Sequence, residues 1–271
     1  MSNQKIGIIG AGNMGEAIMK GLLTGPYAYK PKDIIISDVS KERLWFLKKE
    51  YNVKTVSYNE EAVESSDIII LAVKPQNMAP VIFETRKFIN PDKLVISIAA
   101  GIKTSFIEKH LLGKVPVIRV MPNMPALVQK GISAFCAGKH IKSAHKKTVM
   151  QILSNIGSVV EVREGQMDAV CAVSGSGPAY FLFLTEKLID AGIKNGLSET
   201  IAVKLAIETA AGAAAIMSTV KEAPGILRSR VTSKGGTTEA AFKVFEKEGL
   251  GKIFEKGVKA AIKRSRELSC L

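Results

Sequence analysis

The stretch Lys5-Ile6-Gly7-Ile8-Ile9-Gly10-Ala11-Gly12-Asn13-Met14-Gly15 constrains this chain more than any other. A β-branched apolar run stops at Gly10, and a helical pattern of small and apolar residues begins at Ala17-Ile18. The change of period predicts strand, tight turn and helix. In Gly10-x-Gly12-x-x-Gly15, the first glycine makes the turn, the second lets backbone approach a pyrophosphate, and the third packs helix closely on strand. The helix start then offers unpaired N–H groups and a positive dipole end to phosphates. Glycine-rich turns are common, but this one has the strand before it and the helix after it that a dinucleotide site requires.

The same alternation continues downstream. Residues 34–36 read as a second buried strand ending at Ser37-Asp38, 41–51 as helix, 52–56 as a short strand, and 60–65 as a helix opened by Asn59. Residues 67–73 form another apolar strand pattern running into Lys74-Pro75, followed by strands over 93–99 and 115–120. Buried β-branched strands separated by helices predict a parallel, doubly wound sheet. Ligands of such sheets lie beyond the carboxyl ends of the strands, where Ala72, Val73, Lys74 and Pro75 fall. Asp38 ends the second strand, where a carboxylate accepts from the adenosine ribose hydroxyls, which leans toward NADH. Ser37, Ser40, Lys41 and Arg43 are close enough in sequence to meet a 2′-phosphate instead, and Asp38-x-Ser40 also reads as a turn and helix cap. Asn123, between Pro122 and Pro125, stands either at the nicotinamide amide, at the substrate, or as a turn cap. Residues 132–137 and 157–161 read as two last strands around a helix near 143–156, and the domain is expected to close at 163–166.

Beyond residue 166 the period is helical. Pro178 is placed to start a helix over 179–194, stopped by Asn195-Gly196, and Ser198 to cap the next. That next helix carries Ala210-Ala211-Gly212-Ala213-Ala214-Ala215, a face that lets another backbone approach closely, and with little else to pack on it predicts a partner subunit. Thr232-Ser233-Lys234-Gly235-Gly236-Thr237-Thr238 then opens an amphipathic helix, with two glycines and four hydroxyls in seven residues. This is a second anion cradle at a helix start, with positive φ expected at Gly236.

The net charge of +13 raises the question of nucleic acid, but 30 of 38 basic residues are scattered lysines without a nucleic-acid-binding pattern. A solvated surface that draws in anionic small molecules is the expectation. Cys136, Cys171 and Cys270 are far apart, so neither a disulfide framework nor a metal site is suggested, and a reducing cytoplasm fits. No secretory signal pattern opens the sequence. The longest small-apolar run, 209–220, is too short to span a bilayer, which predicts a soluble protein without membrane contact.

The residues together carry a family resemblance. Gly10-Ala11-Gly12-Asn13-Met14-Gly15, Ala72-Val73-Lys74-Pro75, Arg119-Val120-Met121-Pro122-Asn123, Ser174-Gly175-Ser176-Gly177-Pro178-Ala179-Tyr180 and Val231-Thr232-Ser233-Lys234-Gly235-Gly236-Thr237-Thr238 resemble pyrroline-5-carboxylate reductase over the whole length and in order. The first motif is shared by many dehydrogenases, whereas the fourth and fifth together are specific. The resemblance implies an α/β chain with a doubly wound Rossmann-type domain over 1–165 and an all-α dimerisation and substrate domain over 166–271. It implies reduction of 1-pyrroline-5-carboxylate to L-proline by NADPH or NADH, the last step of proline synthesis. Its assembly would be a homodimer with interlocked helical domains, often built further into rings.

Carried over by position, Gly10, Ala11, Gly12, Asn13 and Met14 would meet the pyrophosphate, Ser37 and Asp38 the adenosine ribose, and Asn59, Ala72, Val73, Lys74 and Pro75 the ribose and nicotinamide. Val231, Gly235, Gly236, Thr237 and Thr238 would hold the substrate carboxylate and ring nitrogen across the dimer interface, with the Thr238 hydroxyl as catalytic group. Lys234 and Met124 replace the family's usual proline and threonine. Lys234 is expected to change loop stiffness and local charge. A protonated C=N is already electrophilic, so orientation and exclusion of water matter more than a strong base, and none of His110, His140 and His145 lies in a motif.

Two rivals are weighed. A 3-hydroxyacid dehydrogenase-like enzyme would carry a lysine with asparagine four residues on, but Lys187, Lys194 and Lys204 are followed there by Ala191, Ser198 and Glu208. A non-catalytic NAD(P)-sensing protein would explain the first glycine motif but not the second cradle.

Overall fold

A computed structural model describes residues 4–268. Cys270 lies outside the described residues. The chain falls into two compact units, one of residues 1–175 with 261–271, the other Ser176–Ala260. The sequence reading draws its domain boundary at 165.

The first unit alternates β1 (Ile6–Ile9), α1 (Asn13–Thr24), β2 (Ile34–Ser37), α2 (Lys41–Tyr51), β3 (Lys54–Val56), α3 (Asn59–Glu64), β4 (Ile68–Leu71), α4 (Met78–Thr85), β5 (Leu94–Ser97), α5 (Thr104–His110) and β6 (Val117–Met121). It continues through β7 (Gly131–Ala137), α6 (Ser143–Ser154), β8 (Gly157–Glu161) and the short α7 (Met167–Val170) into a π turn, Cys171–Gly175. One eight-stranded sheet holds all the strands in the order β3-β2-β1-β4-β5-β6-β7-β8. Strands β1 to β6 run parallel. Side chains that alternate along each strand feed two different cores: Ile6, Ile8, Ile68, Ile70 and Ile96 pack with α1, α2 and α6, while Ile9, Ile69, Leu71 and Val95 pack with α4 and α5. That period of two, with helices on both sides, makes the sheet doubly wound.

β7 departs from the expected parallel sheet, because it pairs antiparallel with β6 while β8 pairs parallel with β7. The link from β6 to β7 holds only a short turn of 3-10 helix, Met124–Val128, whereas a parallel crossover needs a dozen or more residues.

The second unit contains α8 (Gly177–Lys194), α9 (Glu199–Val220), α10 (Pro224–Arg230), α11 (Thr237–Lys247) and most of α12 (Leu250–Leu268). α8 and α9 meet where Gly192 faces Leu197 and Ala202. The last turns of α12 group with the first unit, where the Ser265 hydroxyl donates to Asp168 at 2.8 Å. The apolar run 209–220 is by itself too short to cross a bilayer. α9 as a whole, and the segment Glu164–Lys194, are long and apolar enough to do so by length and composition alone.

Candidate functional site

The glycine loop is built from the backbone outward. Gly10 takes φ +103°, in the region that favours glycine, and its N–H donates to Ser37 O at 2.9 Å. A Cβ on Gly10 would lie 2.8 Å from Ala72 O, so the loop lies against the residues that follow β4. A Cβ on Gly15 would run into Gly10 O, and this closeness of α1 to the turn is what the third glycine permits. Gly12 differs, since a Cβ there would meet nothing within 4 Å. It precedes α1 with no side chain capping the helix, so the first N–H groups of α1 face open space beside exposed Asn13. This cradle at the carboxyl edge of a parallel sheet fits the pyrophosphate of a dinucleotide.

Side chains hold Ala11 from both sides. Its N–H donates to Asp38 Oδ2 at 2.7 Å, and its carbonyl accepts from Arg43 Nε at 2.7 Å. Asp38 Oδ1 also accepts from Ser40 N at 2.9 Å, and the Ser40 hydroxyl accepts from Arg43 N at 3.2 Å, capping α2. The turn-and-cap arrangement of Asp38 and Ser40 is thus present, and the same carboxylate reaches the glycine loop. Arg43 completes an ion pair with Glu16, whose other oxygen accepts from Tyr51 OH at 2.9 Å. Burial, reinforced by that bond to a carboxylate, pushes the Tyr51 phenol up from its ordinary value. Arg43, one of the residues offered for a 2′-phosphate, ties the loop to α1 through Nε and Nη2.

Asn59 does not cap α3, as its position suggested; Tyr58 takes the cap position and makes no side-chain cap bond. The Asn59 amide instead accepts from Ser37 Oγ at 2.8 Å and donates to Glu84 Oε2 at 2.9 Å, linking the ends of β2 and α4. Ala72 and Val73 are half-buried and Lys74 is exposed, with Pro75 starting a short 3-10 turn.

Farther along the sheet, buried Arg119 lies 3.8 Å from Glu164, which accepts from the Thr104 N–H at 2.7 Å and its hydroxyl at 3.0 Å. The neighbouring Cys136 thiol is pushed up to about 12 by burial and by the nearby Glu164 carboxylate, with Arg119 opposing. Cys136 and Cys171 are both free thiols. Asn123 accepts from Ile132 N at 2.9 Å and donates to Ser174 O at 3.3 Å. Neither Glu16 nor Glu164 stood out in the sequence, because a lone glutamate far from its partner has no local signature.

In the second unit, the loop before α11 is a separate cradle. Positive φ falls on Gly235, at +75°, and not on Gly236, whose φ is −84°. The Gly235 N–H donates to Glu239 Oε2 at 2.8 Å, and the Gly236 N–H to Ser233 O at 3.0 Å, so the positive φ turns the chain two residues before the helix begins. A Cβ on Gly236 would collide with the Ser233 hydroxyl. Gly236 takes the cap position without a side-chain bond, so the N–H groups of Thr237 and Thr238 stand at an open helix start. Lys243, 3.5 Å from Glu239, offsets the carboxylate beside the cradle. Val231 and Lys234 are exposed.

Comparison with known proteins adds the relationship. A family described as pyrroline-5-carboxylate reductase dimerisation matches residues 164–268, and one described as NADP oxidoreductase, coenzyme F420-dependent, matches residues 5–101. The pyrroline-5-carboxylate reductase of Pseudomonas aeruginosa is 40% identical over 270 residues, covering 99% of this chain and 98% of that protein. The structure of a pyrroline-5-carboxylate reductase from Coxiella burnetii superposes with TM-score 0.92 at 35% identity, covering 99% of both chains. That of Plasmodium falciparum pyrroline carboxylate reductase with NADP bound superposes with TM-score 0.88 at 32% identity, again covering 99% of both.

Proposed function

This chain belongs to the pyrroline-5-carboxylate reductase family, and from that premise we propose how its own residues carry out the reaction. The protein is an NAD(P)H-dependent oxidoreductase that reduces 1-pyrroline-5-carboxylate to L-proline. The observation that carries the reading is the pairing of a full-length family match with an open glycine cradle at the carboxyl edge of the sheet.

In this proposal Gly10, Ala11, Gly12, Asn13 and Met14 cradle the pyrophosphate, while Ser37 and Asp38 meet the adenosine ribose. Asn59, Ala72, Val73, Lys74 and Pro75 flank the ribose and nicotinamide. When bound, the dinucleotide supplies a hydride. The N–H groups opening α11, with Val231, Gly235, Gly236 and Thr237, hold the substrate carboxylate, and the Thr238 hydroxyl donates to the ring nitrogen as the imine becomes an amine. An iminium is electrophilic before it is bound, so these residues orient it and exclude water more than they move protons.

NADH is the preferred cofactor in this proposal. The Asp38 carboxylate suits ribose hydroxyls and opposes a 2′-phosphate, and the Arg43 guanidinium is spent on Ala11 O and Glu16. The chain works as a homo-oligomer. We assign that assembly as a dimer formed by the helical part, 166–271, capable of closing into a larger ring, and place the enzyme in the cytoplasm. Initial rates of NADH and NADPH oxidation with pyrroline-5-carboxylate, measured side by side, test the reading. Turnover with both and a higher kcat/KM for NADH is expected. A preference for NADPH would overturn the role of Asp38, and no turnover with either would overturn the activity.

A further inference from the structure

The reductase reading gives the buried Asn123 side chain no role. Asn123 follows β6, only 9% exposed, between two prolines that stiffen its backbone. Both ends of its amide are in use. Oδ1 accepts from Ile132 N at 2.9 Å, which fixes the link into β7, and Nδ2 donates to Ser174 O at 3.3 Å, 51 residues away. Nδ2 also lies 3.5 Å from the Ser174 hydroxyl, so both ends of the amide are turned to the protein.

Ser174 lies in the π turn Cys171–Gly175. A π turn widens the helix and is found mostly as a single turn at functional sites. Here the turn approaches the same end of the sheet a second time, for a Cβ on Gly175 would lie 2.6 Å from Met121 Cε at the last residue of β6. The sheet order puts β6 on the opposite side of β1 from β2, which Asp38 follows. The adenosine half of a dinucleotide belongs over β2, so β6 borders the nicotinamide half, where hydride leaves.

We propose that Asn123 is a positioning residue for imine reduction: through Ser174 it fixes the π turn against the carboxyl end of β6, at the nicotinamide half of the cleft. The proposal rests on the reductase reading. Asn123 touches no reacting atom in this account. It sets where the backbone of Ser174 and Gly175 stands, and so how tightly the reacting end of the cleft is ordered and closed to water.

The test uses full-length wild-type protein, Asn123→Ala and Asn123→Asp. The alanine removes both hydrogen bonds; the aspartate keeps an acceptor for Ile132 N–H and removes the donor to Ser174 O. In both, kcat with pyrroline-5-carboxylate should fall about tenfold while the Kd for NADH, read by fluorescence without substrate, stays within about twofold. The primary isotope effect with NADH deuterated at the transferred position should rise in both, because hydride transfer becomes slower than product release. Should the aspartate variant fail to fold, the alanine variant carries the same readouts. Unchanged kcat and isotope effect in Asn123→Ala would overturn the proposal, as would a loss of NADH affinity equal to the loss of kcat. Wild-type protein inactive with both NADH and NADPH would overturn the reductase reading itself, and the proposal with it.

Discussion

The two units treat similar apolar side chains in opposite ways. In the sheet unit Ile6, Ile8, Ile34 and Ile68 are fully buried, because each strand face meets a layer of the unit's own helices. In the helical unit Phe181 is 66% exposed, Phe183 57% and Leu205 54%, whereas Ala202 and Ala206 are the residues buried in α9. Burying one such large side chain contributes about 1.5–3 kcal/mol, so the sheet unit collects a stabilisation that the helical unit leaves uncollected in a single chain. The difference teaches that the first unit completes its own core, and that the second has the surface of a core waiting for another subunit.

The largest test of that difference is Gly212→Leu. In the single chain a Cβ at Gly212 meets nothing within 4 Å, and leucine favours helix over glycine by roughly 0.5–1 kcal/mol. Any loss must then come from a partner, where overpacking would cost several kcal/mol. Sedimentation should show a dissociated protein that still binds NADH, since that cradle lies in the self-sufficient unit. An intact, active dimer would take Gly212 out of the interface and weaken the contrast. For the wild type, the same contrast predicts a melting temperature that rises with protein concentration.

Each unit also carries a helix opened by glycine, and the next two effects separate their duties. Thr238→Ala should lower kcat/KM for the imine by roughly ten- to a hundredfold, the usual consequence of losing one hydrogen bond to a charged group at about 1.5–3 kcal/mol. NADH affinity should hardly move. If cofactor binding weakens while the imine KM is spared, the second cradle belongs to the dinucleotide. Gly15→Ala, which forces a Cβ onto Gly10 O, should cost about 1–3 kcal/mol in thermal unfolding and weaken NADH without altering the dimer.

The smallest effect is expected at Asp38. Asp38→Ala removes the acceptor for Ala11 N–H and Ser40 N–H, so both cofactors lose some affinity through a looser loop, about 0.5–1.5 kcal/mol. NADH should lose more than NADPH, because the like-charge opposition to a 2′-phosphate goes at the same time. An unchanged ratio of kcat/KM for the two cofactors would leave Asp38 a loop-holding residue only.

Much of this was legible before any coordinates. The continuous β-branched runs at 34–36 and 68–70 became the bulk of β2 and β4, and Asn195-Gly196 ended α8, with Gly196 at φ +95°. The glycine loop was legible in detail because turn, approach and packing each demand the absence of a side chain at a fixed spacing, and that demand is local. The second loop was legible as a cradle but misread by one residue in its positive φ, since two adjacent glycines leave the choice to the bonds made by Glu239 and Ser233.

The strands, the two glycine-opened helices and the doubly wound class of the sheet are written along the chain, in properties of neighbouring residues; α4, α5 and the strand order are not. Which distant groups meet came from the packing of those elements. It brought Arg43 to Ala11, turned Asn59 toward Ser37 and Glu84, tied Asn123 to Ser174, and ran β7 antiparallel. Such pairings depend on which strands lie side by side and how long each connection is, and a polar side chain carries no mark of the partner it will meet 20, 30 or 50 residues away.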